Sequence, residues 1–109
     1  MHTFLFPARL RRATVLVAAL LCSTAFAQTA QELDTRALAA TCANCHGTDG
    51  YAVAGSGSAR LAGQSSAFIV EQMQAFRSGS RPATVMHQLA KGFSDAQIRA
   101  LAAYFAAQR

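Results

Sequence analysis

The sequence has little charge and, near its start, an apolar run too short to cross a membrane. Charged residues make up 14% of the 109 residues. The apolar run extends from Ala13 to Leu21, well short of the ~20 residues that a membrane-spanning helix needs. The sequence therefore predicts no membrane anchor, and the same segment suits a signal for export.

Residues 1–27 have the three parts of a secretory signal peptide. The N-terminal part is basic and has no acidic residue; its arginines are Arg9, Arg11 and Arg12. The apolar run follows, and Ala-Phe-Ala at 25–27 provides a cleavage site. We predict cleavage after residue 27, which leaves residues 28–109 as one domain exported to the periplasm without a membrane span.

The basic character of the whole chain does not indicate nucleic-acid binding. Its formal net charge is +5, but three of its ten basic residues lie in the predicted signal peptide and all five acidic residues lie after it. The exported domain therefore carries seven basic and five acidic residues, a formal charge of +2. No nucleic-acid partner is expected.

Cysteine is scarce, which excludes most cysteine-based sites. The chain has three cysteines, and the first lies in the predicted signal peptide. The others are Cys42 and Cys45, with His46 directly after them. A zinc site would need two further ligands, and only His46 and His87 remain after residue 27. A thioredoxin-like redox pair needs a βαβ context that the sequence lacks, and a disulfide closing so short a loop would stabilise little.

The Cys-x-x-Cys-His pattern of Cys42, Cys45 and His46 is the attachment signature of c-type haem. On a helix, residues three positions apart project from one face, so each thiol can bond to one of the two vinyl groups on a porphyrin edge. The imidazole of His46 is then placed to bind the iron as its proximal ligand. The sequence thus predicts one covalent haem c.

The rest of the chain predicts an all-α fold with three main helices. The first begins near residue 31 and runs into the motif, with Leu38, Cys42 and Cys45 on its apolar face. The second is capped by Ser65 or Ser66 and reaches about residue 78. The third opens with a capping box, Ser-Asp-Ala-Gln at 94–97. Its apolar stripe should pack across the first helix and consists of Ile98, Leu101, Ala102 and Phe105.

The second iron ligand has three candidates after residue 27. Met73 lies in the apolar stripe of the second helix, where methionine usually fills the core. Met86 lies in a short segment between helix-breaking residues and could reach the iron from the side opposite His46. His87 would give bis-histidine ligation, although adjacent residues point in different directions. The residues alone favour Met86 and leave the others open.

Three pieces of the chain resemble class I c-type cytochromes. They are Ala-Ala-Thr-Cys-Ala-Asn-Cys-His-Gly at 39–47, Leu-Ala-Gly-Gln at 61–64, and Phe-Ser-Asp at 93–95 running into Leu-Ala-Ala-Tyr-Phe at 101–105. The resemblance covers residues 33–108. It implies the class I cytochrome c fold, in which helices and loops surround one covalent haem and the protein carries single electrons.

The middle of the chain resembles a narrower group. Residues 79–86 and 90–93 look like the cytochrome subunit of flavocytochrome c sulfide dehydrogenase and, less closely, like the domains of tandem two-haem periplasmic cytochromes. In both groups the methionine eight residues before the capping serine binds the iron, and this position corresponds to Met86. The resemblance also implies a redox partner, a sulfide-oxidising flavoprotein.

In these relatives a proline often precedes Leu-Ala-Gly-Gln, and a nearby carbonyl accepts a hydrogen bond from the proximal imidazole. Here Ala59 and Arg60 occupy that place, so a looser loop is expected. A basic rim that steers an acidic partner is a further hypothesis, against the alternative of ordinary solvated charges. Its candidate members are Arg60, Arg77, Arg81 and Lys91.

Three functions are consistent with these patterns. The first is the haem subunit of a sulfide-oxidising flavoprotein, and the second is a freely diffusing one-haem shuttle serving an oxidase or another dehydrogenase. The third, a ligand-binding or peroxidase-like haem protein, requires that Met86 not bind iron. With both axial positions occupied the domain has no open site for a substrate and is predicted to be an electron carrier, not an enzyme.

Overall fold

A computed structural model describes residues 30–109, so the predicted signal peptide, residues 1–27, lies outside the described residues. The described part is helical and contains no strand. The contacts described below lie within residues 34–109, which form one unit of the chain. No helix among residues 30–109 combines the length and hydropathy needed to cross a bilayer.

Within residues 30–109, four α-helices and two short 3₁₀ turns follow one another. Helix α1 covers residues 30–46. The others, in order, are the turn η1 (Thr48–Gly50), α2 (Ser66–Ser78), α3 (Met86–Leu89), the turn η2 (Ala90–Gly92) and α4 (Asp95–Ala107). The all-α prediction is confirmed, with three longer helices and the short α3 between the second and third of them.

The helix ends are set by the local sequence as predicted. Ser65 accepts a hydrogen bond from the backbone N–H of Phe68 and begins α2. Ser94 and Gln97 form the capping box of α4, because each side chain accepts a hydrogen bond from the other residue's backbone N–H. Glycine at position 79 ends α2 in the left-handed conformation.

The core is small and joins α1, α2 and α4. Its central cluster contains one residue of α1 (Ala39), one of α2 (Ile69) and three of α4 (Leu101, Ala102 and Phe105). The predicted packing of α4 across α1 is therefore confirmed. Four of the eight buried hydrophobic residues in the described part are alanines, so this core removes little apolar surface from water and supplies limited stability on its own.

The loop after α1 is organised by Gly50. Its carbonyl accepts hydrogen bonds from the backbone N–H groups of Leu61 and Ala62, at 2.9 and 3.0 Å. Gly50 is buried and has φ 81°. A Cβ added there would lie 2.8 Å from the nitrogen of Ala62 and 2.9 Å from a ring carbon of Phe105. The loop is thus closed at a point with room only for glycine.

Replacement of Gly50 by Ala is expected to cost about 3 kcal/mol of unfolding free energy, because a strained backbone and a steric overlap add together. Gly55→Ala is the matched control. Gly55 has the same φ of 81°, but a Cβ there meets nothing within 4 Å, so we expect a loss of about 1 kcal/mol. Denaturant unfolding of the two haem-loaded variants measures the difference. Equal losses would show that only the backbone angle matters.

A second contact fixes η1 onto α4. The hydroxyl of Tyr104 donates a hydrogen bond to Oδ1 of Asp49 at 2.5 Å. Asp49 has φ 52°, a left-handed angle that is uncommon outside glycine. The hydrogen bond to Asp49 and burial raise the pKa of Tyr104, with the bond as the larger cause, so the phenol stays protonated and able to donate. A residue of α4 therefore holds η1, the turn that follows the cysteine motif, in place.

Candidate haem-binding site

The motif residues lie at the C-terminal end of α1. Because one helix runs through Cys42 and Cys45, their side chains share a face one turn apart, as predicted. Cys42 packs against the core cluster together with Leu38, whereas Cys45, in the last turn of the helix, is exposed. The predicted apolar face therefore ends at Cys42.

The Cys42 thiol is kept in its neutral form. Burial raises the pKa of Cys42, and a hydrogen bond with the Thr41 hydroxyl lowers it by a smaller amount. Thr41 itself donates to the carbonyl of Leu38 at 2.7 Å. The sulfur of Cys42 therefore lies at the edge of the core, where burial disfavours a charged form.

His46 is oriented by a backbone carbonyl. Its Nδ1 lies 2.6 Å from the carbonyl oxygen of Ala59. A carbonyl oxygen can only accept, so Nδ1 carries the proton and Nε2 keeps its lone pair. This is the tautomer in which Nε2 can bind a metal, and the hydrogen bond keeps the ring in one orientation.

This hydrogen bond departs from the expectation of a loose loop at Ala59 and Arg60. The chain lacks the proline of its relatives, yet the carbonyl reaches the imidazole. The backbone N–H groups of Leu61 and Ala62 both donate to the carbonyl of Gly50. These two hydrogen bonds fix the part of the loop that directly follows Ala59 and Arg60. A backbone contact of this kind depends on the path of the chain and is not visible in residue types.

The two methionines have different surroundings. Met73 packs against the core cluster, as its place in the α2 stripe predicts. Met86 is the first residue of α3 and is half-buried. His87, next to it, is half-buried too, and its Nδ1 is fully covered with no hydrogen-bond partner within residues 30–109. Met86 therefore remains the methionine that is free of a core role.

The four candidate rim residues differ in their contacts. The guanidinium of Arg60 lies 4.6 Å from the centre of the Tyr51 ring. Arg77 forms an ion pair with Asp95 at 2.5 Å, and the guanidinium of Arg81 lies 4.6 Å from the centre of the Phe76 ring. Lys91 is exposed. Arg77 and Arg81 thus contact α2 and its neighbours, whereas Arg60 contacts the loop residue Tyr51.

The Arg77–Asp95 ion pair predicts a pH-dependent stability. Hydrogen bonds from Arg77 and then Gln74 hold the pKa of Asp95 below its ordinary value of 3.8. A native pKa below the unfolded-state value gives stability that is complete above the unfolded pKa and is lost as pH falls through the native pKa. Asp95→Asn should therefore melt below the wild-type protein at about pH 6, with the difference shrinking toward about pH 2.

Thermal unfolding of both haem-loaded proteins across this range measures the effect. Glu71→Gln, which removes an exposed carboxylate from α2, is the control and should not produce the same pH-dependent gap. A gap between Asp95→Asn and the wild-type protein that persists unchanged at the acid end would contradict the assignment.

The donor set fits haem c and does not fit a directly coordinated metal ion. Within residues 30–109 no group of three or more His, Cys, Asp or Glu side chains could hold a metal ion. Two free thiols on one helix face and an imidazole with Nε2 available are the groups that a covalent porphyrin with a proximal ligand needs. The helical fold and this helix end together define a c-type cytochrome.

The family model described as cytochrome c oxidase, cbb3-type, subunit III matches residues 31–105. The chain belongs to this family of class I c-type cytochromes, whose cofactor is covalently bound haem c. The chain is an electron-carrying cytochrome c.

The chain is similar to several curated cytochromes. It is 44% identical over 64 residues to cytochrome c-552 of Acidithiobacillus ferridurans, covering 58% of this chain and 26% of that protein. It is 40% identical over 68 residues to the cytochrome subunit of sulfide dehydrogenase of Chlorobaculum tepidum, covering 62% and 60%. The chain spans about a quarter to a third of the length of several curated relatives that it matches.

A solved structure supports the fold. The cytochrome c4 of Acidithiobacillus ferrooxidans superposes with a TM-score of 0.56 and 40% sequence identity. The similarity covers 60% of this chain and 37% of that one. The class I cytochrome fold expected from the sequence is thus confirmed.

Proposed function

We propose that Cys42 and Cys45 would hold haem c through two thioether bonds and that His46 and Met86 would be the ligands of its iron. The position of both thiols on one face of α1 and the free Nε2 of His46 support the first three assignments. Met86 is supported by its place outside the core and by the resemblance of residues 79–86 to cytochromes in which this methionine is a ligand.

The haem iron supplies a one-electron couple, and the residues of this chain tune it. A thioether is a soft ligand that favours the ferrous state, so Met86 raises the reduction potential. The Ala59 carbonyl keeps the His46 ring in one orientation and one tautomer. Because both ligands suit both oxidation states, electron transfer requires little rearrangement of the protein.

For the physiological role, we infer that the chain accepts electrons in the periplasm from a sulfide-oxidising flavoprotein, as its haem subunit. The observation that carries this proposal is the 40% identity to the cytochrome subunit of sulfide dehydrogenase, together with the resemblance of residues 79–86 and 90–93. A freely diffusing shuttle, which takes electrons from another dehydrogenase or gives them to an oxidase, is the alternative outcome of the test.

The test is gentle purification of the exported protein from its native host, tagged after Arg109, followed by absorption spectroscopy and mass determination. Haem c bands with flavin absorbance and a larger partner chain, with haem reduction on addition of sulfide, are expected. Haem c bands in a small protein with neither flavin nor partner, before and after chemical cross-linking in the periplasm, would contradict the subunit role and favour the shuttle.

Carbon monoxide separates both electron-carrier roles from a ligand-binding one. With His46 and Met86 on the iron, the native reduced protein should not bind carbon monoxide at neutral pH. Rapid binding, seen as a shift of the main haem absorption band, would mean that the sixth position is open and that the protein is a ligand-binding haem protein.

A further inference from the structure

The segment that carries Met86 has little to hold it in place by itself. Residues 79–94 connect α2 to α4, and Met86 opens the four-residue helix α3. So short a helix has almost no stability of its own. None of the residues of α3 is buried, and Val85 and Leu89 are about half exposed, at 48% and 49%. The position of Met86 therefore depends on the contact of α3 with α2 and on the contacts that hold the two ends of the segment.

One set of contacts holds the beginning of the segment against α2. The backbone N–H of Arg81 donates to the carbonyl of Ala75 at 3.1 Å. The side chain of Arg81 donates to Oε1 of Gln72, and its guanidinium lies over the ring of Phe76, 4.6 Å from its centre. All three partners of Arg81 belong to α2. They are Gln72, Ala75 and Phe76, so the chain after this helix turns back and contacts its side.

A second set holds the end of the segment against the same helix. Arg77, in the last turn of α2, donates from Nη2 to Oδ1 of Asp95 at 2.5 Å and to Oε1 of Gln74 at 2.7 Å. Its Nη1 donates to the carbonyl of Phe93 at 3.4 Å. Gln74 also donates to Asp95, at 3.2 Å. Phe93 and Asp95 flank the cap of α4, so Arg77 joins the C-terminal end of α2 to the N-terminal end of α4.

We propose that Arg77 and Arg81 are positioning residues for the distal iron ligand: they fix the two ends of residues 79–94 on α2 and so hold the sulfur of Met86 at the iron. The proposal rests on the proposed function, because it requires Met86 to be the ligand. It gives these arginines a role within the domain in place of the partner-steering role considered from the sequence.

The physical consequence concerns how often the sulfur leaves the iron. Dissociation of Met86 requires the segment to open locally, and local opening is governed by the contacts that the opened segment loses. Loss of one arginine weakens one end of the segment and makes the opened state more populated. The global fold, set by the core of α1, α2 and α4, is affected much less.

The binding of cyanide to the ferric, haem-loaded protein tests this directly. At high cyanide concentration the rate is limited by departure of the methionine, so it reports local opening in the native protein. We expect Arg77→Gln and Arg81→Gln each to raise the limiting rate roughly fivefold, and the double variant to raise it further. The charge-transfer absorbance of methionine-ligated ferric haem should also be lost at a lower temperature.

Two control variants keep the test specific. Lys91→Gln removes a positive charge from η2, within the same segment, where Lys91 is exposed. Tyr104→Phe removes the hydrogen bond to Asp49 at another part of the surface and reports the effect of mild destabilisation alone. Both should bind cyanide at the wild-type limiting rate.

The proposal is overturned if both arginine variants bind cyanide within about twofold of the wild-type limiting rate, or if Tyr104→Phe accelerates binding as much as they do. If Arg77→Gln does not fold, Arg81→Gln and Asp95→Asn carry the same test. Met86→Ala separates the two levels of inference. Retention of the charge-transfer band in Met86→Ala would refute Met86 as the ligand, whereas its loss there with unchanged arginine variants would refute only the positioning role.

Discussion

Replacement of Met86 by Ala is expected to leave the haem attached and to lower the reduction potential by on the order of 0.1 V, a modest part of the ~0.8 V range that axial ligands set. The thioether sulfur stabilises ferrous iron, and water or hydroxide in its place favours the ferric state. The proposed attachment through Cys42 and Cys45 does not involve this side chain. Potentiometric titration followed by visible absorbance gives the change.

The second methionine provides the control for Met86→Ala. Met73→Leu conserves side-chain volume at the edge of the core, so it removes a thioether with little loss of packing. Its potential should stay close to that of the wild-type protein. An unchanged potential in Met86→Ala would eliminate Met86 as a ligand, and a fall in Met73→Leu would assign the ligand to α2 instead. His87→Ala tests the third candidate ligand. Only bis-histidine ligation predicts that this variant loses the native haem spectrum.

Simultaneous replacement of Cys42 and Cys45 by Ser is expected to abolish covalent haem and to leave the domain largely unfolded. The core of residues 30–109 is half alanine by number, and Ile98 is the largest side chain that is fully buried. Small domains with such cores usually need a covalent or metal-based addition to be stable. We therefore expect haem attachment and folding to be coupled, as metal binding and folding are in small metal-dependent domains.

Circular dichroism of the purified double variant, with haem content measured by absorbance after denaturation, checks this result. A cooperative thermal transition and wild-type helix content without haem would contradict it. Cys22→Ser is the control, because cleavage after Ala27 would make its exported form identical to the wild-type protein. Mass spectrometry of that form also tests the predicted signal peptide, which lies outside the described residues.

The helix boundaries could be predicted from the sequence because their signals are local. Ser65 and Ser94 begin helices through hydrogen bonds that span three residues, and such contacts depend on residue type and spacing alone. The stripe of α4 was likewise visible as a 3.6-residue pattern. The motif on α1 fixed the cofactor because its chemistry needs both thiols and the imidazole at that spacing.

The supporting contacts of the site could not be predicted in this way. The hydrogen bond from His46 to the Ala59 carbonyl joins residues 13 positions apart, and any residue has a carbonyl to offer. The ion pair of Arg77 with Asp95 spans 18 positions, and nothing in an arginine's local sequence tells whether it faces solvent or a distant carboxylate. These contacts are set by the path of the chain between helices.

The tip of the loop closed at Gly50 has open space around its glycines. Between the hydrogen bonds at Gly50 and at Ala59 the chain passes through Gly55 and Gly57, where added side-chain atoms would meet nothing within 4 Å. Extra residues there would extend into solvent without displacing the imidazole or the core. The tip of this loop is therefore a suitable place to insert a peptide or a surface anchor, because both ends of the loop would remain in place.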